Sequence, residues 1–173
     1  MGGVGNFMNS IFKRRSIRKY TSEKVSEDTV KELLKAGMSA PSAANEQPWE
    51  FIVIRDRDIL KQIIDVHGYA AMLKEADVAI AVCGNINRDK VGGFWVQDCS
   101  AATENILIEA QELGLGAVWL GVYPLEERAN PIKKILKLPE SIIPLSIISI
   151  GYPAEHKAES NYYDESRIHY NNW

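Results

Sequence analysis

Asp98-Cys99-Ser100-Ala101-Ala102-Thr103-Glu104-Asn105-Ile106-Leu107-Ile108-Glu109-Ala110-Gln111-Glu112-Leu113 is the longest helical pattern in the chain. Ala102, Ile106, Ala110 and Leu113 share one face, and Ala101, Leu107 and Ile108 widen the apolar surface well beyond a single stripe. A helix this apolar is buried on most sides. Gly114 supplies its stop, and Ala117-Val118-Trp119-Leu120 then reads as a strand. Such a helix needs partners around it, and the flanking sequence alternates helical and extended patterns without an internal repeat or a low-complexity linker.

Upstream, Ser26 caps a helix with Val30, Leu33, Leu34 and Met38 at three- and four-residue spacing, and acidic Glu27 and Asp28 suit its positive end. That helix ends near Pro41. Phe51-Ile52-Val53-Ile54 is a short β-rich run, Ile59, Leu60, Ile63 and Ile64 mark an amphipathic stretch, and Val78-Ala79-Ile80-Ala81-Val82 is a second strand. Downstream, Glu126 to Leu136 reads as a helix and Leu145-Ser146-Ile147-Ile148-Ser149-Ile150 as a last core strand. Beyond Gly151 the chain is polar with Tyr162, Tyr163, Tyr170 and Trp173 in it. Aromatics at this density cover a surface, and the sequence leaves open whether that surface is the chain's own domain or something else.

The 173 residues are 46% hydrophobic and 25% charged, the composition of an ordinary globular domain. One domain over residues 11–173 behind a flexible leader over 1–10 is expected. The leader's Gly2 is no myristoylation signal, because Asn6 stands where Ser or Thr is required. A net charge of -3 without long runs of one sign argues against nucleic acid as a partner. Val78 to Cys83 is far shorter than a membrane span, and no signal-peptide core is present, so a cytoplasmic chain is expected. The two cysteines, Cys83 and Cys99, read as reduced core thiols.

Three segments carry chemistry. Lys13-Arg14-Arg15-Ser16-Ile17-Arg18-Lys19 places five cations and a hydroxyl in seven residues. Arginine forks match phosphate oxygens, so the segment is a candidate monophosphate clamp, although a short basic patch by itself is more often an ordinary solvated face. Ala40-Pro41-Ser42-Ala43-Ala44-Asn45-Glu46-Gln47-Pro48-Trp49 is built of small and amide residues that admit a flat ligand to the backbone. Gly114-Leu115-Gly116-Ala117-Val118-Trp119-Leu120-Gly121 contains a Gly-x-Gly, but it follows a helix and enters a strand, the reverse of the dinucleotide fingerprint. The three histidines, His67, His156 and His169, lack metal-ligand spacing and read as surface or supporting groups. No nucleophile signature is present either. A chain without protein nucleophile or metal motif delegates its chemistry to a cofactor.

In this order the segments resemble the nitroreductase family of flavoenzymes, whose members open with Arg-Arg-Ser-x-Arg and continue with Pro-Ser-x-x-Asn-x-Gln-Pro-Trp. The likeness extends over Gln97 to Asn105, Gly114 to Gly121 and Gly151-Tyr152-Pro153. It implies an α+β fold with three α-β-α layers around a mixed, mostly antiparallel sheet, assembled as a homodimer built on a long central helix with an intersubunit arm. It further implies FMN, with Arg14, Ser16 and Arg18 on the phosphate and ribityl chain and Arg15 nearby. Arg167 matches the family's late phosphate-binding arginine. Pro41, Ser42, Ala43, Asn45 and Gln47 would come from the partner subunit, and Trp119, Leu120 and Gly121 would line the flavin through backbone groups.

The resemblance implies a ping-pong oxidoreductase in which NADH or NADPH delivers hydride to flavin N5 and an electron-poor small acceptor, such as a nitroaromatic or a quinone, is then reduced. No side chain is assigned a catalytic role. The alternatives are other flavin chemistry on the same fold, reductive dehalogenation or flavin breakdown, and a flavin-binding redox sensor with little turnover. The chain departs from some members in carrying Glu165 where they have Lys and in lacking their mid-chain Asn/Lys pair. Charge near the ring tunes a flavin's electronics, so a different potential follows.

Overall fold

The computed structural model describes residues 10–173. Of the leader expected over 1–10, only Ser10 is among them, and it opens the one-turn helix α1 (Ser10–Lys13). Helix α2 (Glu27–Met38) begins as its cap dictates, with Ser26 Oγ accepting the Thr29 N–H at 3.0 Å. Val30 and Leu33 are buried, while Met38 at the helix end is left 53% exposed. Helix α3 (Arg57–Val66) is capped by Asp56, whose carboxylate takes the Asp58 and Ile59 N–H groups at 2.8 and 3.2 Å. Helix α4 (Trp95–Glu112) starts earlier than its apolar pattern and stops where Gly114 turns at φ 73°, a left-handed conformation that glycine adopts without cost. Helix α5 spans Glu126–Ile135.

Four strands, β1 (Trp49–Ile54), β2 (Val78–Asn85), β3 (Gly116–Gly121) and β4 (Ile142–Gly151), lie in the order β1-β2-β4-β3 with every neighbour antiparallel. The parallel contact is an isolated bridge between Ser16 and Ala117. Strand β4 is longer than its apolar pattern because it runs through Pro144. A proline is tolerated in a strand only at an edge or a bulge. Here the register slips between Val82 and Cys83, so that Cys83 pairs with Pro144 while Leu145 bulges. The freed Leu145 carbonyl accepts the Val122 and Tyr123 N–H groups at 3.0 and 3.1 Å.

Alternation along the strands divides the core into two layers. Val78, Ile80, Val82, Ile148 and Ile150 pack with Leu33, Ala102 and Ile106 under α2 and α4. Ala79, Ala81, Cys83, Ile147 and Leu120 pack with Leu60, Ile63 and Ile132 under α3 and α5. These are the three α-β-α layers. Thr103 of α4 donates to the Cys99 carbonyl at 2.8 Å, so Ser146 is the donor in their 3.0 Å contact, and a buried polar pair is satisfied. Both cysteines are buried and unpaired, and burial pushes each thiol up to about 12. No helix among the described residues is long and apolar enough to cross a membrane.

Candidate functional site

The basic segment lies extended along the outer edge of β3. Ile17 N–H donates to the Ala117 carbonyl at 3.0 Å, and Thr21 N–H to the Tyr152 carbonyl at 2.9 Å. Residues 154–157 return beside it: Arg18 N–H donates to Glu155 Oε1 at 2.6 Å and Lys157 Nζ to the Ser16 carbonyl at 2.5 Å. An extended chain sends successive side chains to opposite sides. Accordingly Arg15 and Ile17 line one cleft with Pro153 and Lys157, and Arg18 lines another with Trp119, Leu120 and Gly121. Arg14 and Ser16 line neither cleft. Arg14 Nε holds Glu104 of α4 at 3.1 Å, and Arg15 donates to the Ala158 carbonyl.

The Arg18 cleft has a volume of about 460 Å³ and is completed by His67, Tyr69, Ala71, Met72 and Arg128. Its floor is a free strand edge. In an antiparallel ladder alternate residues turn their N–H and C=O groups away from the partner strand. Ala117 turns outward to meet Ile17, so Trp119 and Gly121 turn outward as well. The Gly121 carbonyl accepts His67 Nε2 at 2.9 Å and Arg128 Nη1 at 3.1 Å, whereas the outward groups of Trp119 meet no partner among the described residues. A Cβ placed on Gly121 would meet no atom within 4 Å, so the backbone there is open to a ligand.

The Pro41 to Trp49 loop is built against α4. Ala43 N–H donates to Asp98 Oδ1 at 3.1 Å, Gln47 N–H to Ser42 Oγ at 3.0 Å, and Gln47 Nε2 to Asn45 Oδ1 at 3.1 Å. Glu46 accepts the Lys90 and Val91 N–H groups at 3.0 and 3.1 Å. Ala44, Asn45 and Gln47 have φ of 48°, 56° and 49°. Left-handed backbone at three non-glycine residues costs energy and persists where surrounding contacts impose it, a condition that clusters at binding sites. Pro41, Asn45 and Gln47 are exposed.

One chain keeps this loop and the Arg18 cleft apart. The loop leads into β1 at one edge of the sheet and Trp119–Gly121 belong to β3 at the other, three strand spacings or about 14 Å away. Arg167 joins neither: its side chain is 81% exposed and pairs with Asp164 at 3.0 Å. His67, Tyr69 and Arg128 were not legible as site residues. His67, expected at the surface or in support, is only 2% exposed and bonded to the strand edge. Arg128 sits in a helical pattern with nothing to distinguish it from a solvated cation.

The nitroreductase family model matches residues 11–67 and 64–152. The chain belongs to the nitroreductase family. A Methanothermobacter thermautotrophicus protein provisionally named NADH dehydrogenase/NAD(P)H nitroreductase is 50% identical over 166 residues, 96% of this chain and 87% of the relative. Among solved structures, an FMN-dependent nitroreductase from Clostridium difficile superposes with a TM-score of 0.88 at 33% identity over 95% of this chain and 99% of that one. A provisionally named nitroreductase from Desulfovibrio desulfuricans, crystallised in complex with FMN, gives 0.82 at 32% identity over 95% of each chain. Family membership thus agrees with the α+β architecture and with the motifs at Arg14–Arg18 and Pro41–Trp49.

Proposed function

We propose that this nitroreductase-family chain is an NAD(P)H oxidoreductase that binds FMN in the Arg18 cleft and acts as a homodimer. The observation that carries the cofactor is the strand edge: outward Trp119 and Gly121 backbone groups, an open face at Gly121 and an Arg18 side chain without a partner among the described residues converge on one cleft. These residues fit a flat, hydrogen-bonding ring with an anionic tail. Arg18 holds the phosphate together with Arg14 and Ser16 of the same segment, and Arg15 supports the segment from behind. Trp119 and Gly121 orient the ring through their outward backbone groups, and Leu120 between them lines the cleft.

Bound there, FMN supplies the two-electron relay between NADH or NADPH and an electron-poor acceptor, in ping-pong order. The protein's part is position and exclusion of water, with donor and acceptor using the same open face in turn. The Pro41, Ser42, Ala43, Asn45 and Gln47 half-site completes the pocket of the other subunit, since it lies at the far edge of its own sheet. Its left-handed backbone is then held for a ligand that another chain supplies. Arg167 reaches a phosphate only if the arm that carries it leaves its own surface. That arm has the means to do so: Tyr162 is 80% and Trp173 99% exposed, an apolar surface that a second subunit would cover.

Purified protein is expected to be yellow, to retain FMN and to bleach on anaerobic addition of NADH or NADPH. A colourless protein that takes up no FMN overturns the proposal. Mixing an Arg18→Ala chain with a chain altered at Asn45 and Gln47 tests the shared pocket, because the mixed dimer regains one complete site and neither parent has any.

A further inference from the structure

The cleft contains a second cation that the cofactor reading leaves unused. Arg128 of α5 donates to the Gly121 carbonyl at 3.1 Å, and its guanidinium carbon stands 5.4 Å from the centre of the Tyr69 ring. Tyr69 N–H donates to His67 Nδ1 at 3.3 Å, which leaves Nε2 as the hydrogen-bearing nitrogen for its 2.9 Å bond to the same Gly121 carbonyl. The set is closed: Tyr69 orients His67, His67 and Arg128 share Gly121, and Arg128 returns to the Tyr69 ring. Each contact limits the freedom of the next. No carboxylate lies within ion-pair distance of Arg128 among the described residues, so its charge is held in place without being neutralised.

We infer that Arg128 is a tuning residue, a fixed positive charge at the ring end of the cleft that favours the reduced cofactor over the oxidised one. This rests on the FMN reading, in which Trp119–Gly121 line the ring and Arg18 the phosphate. Arg128 is bound to Gly121 itself, so it belongs to the ring end. Two-electron reduction of FMN with uptake of a single proton adds one negative charge, and a nearby cation stabilises that form selectively. Tyr69 and the Gly121 carbonyl act as positioning groups for the charge.

The test is the midpoint potential of bound FMN together with the affinity for oxidised FMN, in the wild type and in Arg128→Met, Arg128→Lys and Tyr69→Leu. Arg128→Met is expected to hold oxidised FMN within about threefold of the wild type and to lose about tenfold of its preference for the reduced form, a potential lower by ~30 mV for a two-electron couple. Arg128→Lys restores most of that shift, and Tyr69→Leu falls between. An unchanged potential in Arg128→Met overturns the inference. Loss of oxidised FMN from that variant also overturns it, since Arg128 would then be part of the binding clamp. A wild type that binds no FMN fails at the cofactor reading, a result distinct from either.

Discussion

Asp98, buried in the first turn of α4, accepts the Ala43 N–H at 3.1 Å through Oδ1, while its second oxygen meets no partner among the described residues. A single carboxyl thus ties the left-handed loop to the central helix. Burial raises its pKa above the ordinary carboxylate range, the Ala43 N–H opposes this, and Asp89 and Glu46 add to it. The folded chain therefore binds the Asp98 proton more tightly than the unfolded chain does. This contribution to stability is full below the ordinary value of about 4 and is lost as pH rises through the raised folded value. Asp98→Asn, which keeps the acceptor and carries no charge, is expected to flatten that dependence. Asp98→Ala leaves Ala43 N–H without a partner and costs about 1–3 kcal/mol. Urea unfolding of the three proteins across pH 4 to 7 checks both; a pH dependence equal in wild type and Asn variant contradicts the assignment.

Asp77 titrates with the opposite sign. Burial alone would raise it, but Lys24 at 2.8 Å, the Val25 N–H at 3.0 Å and Arg55 Nη1 at 2.5 Å outweigh burial and hold it below its usual value. Its stabilisation is present above the unfolded pKa and is lost as pH falls through the depressed folded value. Asp77→Asn should cost about 2 kcal/mol at neutral pH, the worth of a hydrogen bond to a charged group, and less at pH 2. Equal costs at both pH values in chemical denaturation would sink this account.

Removal of charge from the strand-edge segment should weaken cofactor retention. Arg18→Ala is expected to raise the FMN dissociation constant by about 1.5–3 kcal/mol, roughly tenfold to a hundredfold, through the loss of a charge-assisted hydrogen bond. Arg14→Ala alone also frees Glu104, its 3.1 Å partner, so its effect mixes two changes. Flavin fluorescence titration reads the result, and unchanged retention in the double variant rules out the clamp.

Gly84→Ala should destabilise the fold. A Cβ at that position would stand 2.2 Å from Trp95 Cε3, and Trp95 is held edge-on to Tyr123 with centroids 4.8 Å apart. Overpacking of this kind costs about 1–3 kcal/mol. The expected outcome is a lower Tm with an altered near-ultraviolet signal from Trp95. Gly121→Ala, where the same atom meets nothing, is the control, and equal losses in the two variants would be incompatible with the packing described.

Much of the architecture was readable from local pattern. The cap at Ser26, the apolar spacing of α4 and the β-rich runs each report on a few neighbouring residues, and each reappears as an element of the fold. Strand β4 was read too short, since Pro144 interrupts the pattern and only the bulge opposite Cys83 accommodates it. The clamp segment and the Pro41 to Trp49 loop were legible as motifs, whereas Arg128 and His67 were not. Neither residue has a distinctive neighbour in sequence, and both matter only because α3 and α5 bring them to the same carbonyl.

What the sequence determines by itself is therefore the set of elements, their caps and periods, and the three segments that mark the family, because these depend on interactions within a turn or two of chain. Tertiary structure alone decides the strand order β1-β2-β4-β3. That order is fixed by packing between residues far apart in sequence. It sends the Pro41 to Trp49 loop and Trp119–Gly121 to opposite edges of one sheet, turns Trp119 and Gly121 outward, and gathers Arg18, His67, Tyr69 and Arg128 around the exposed edge.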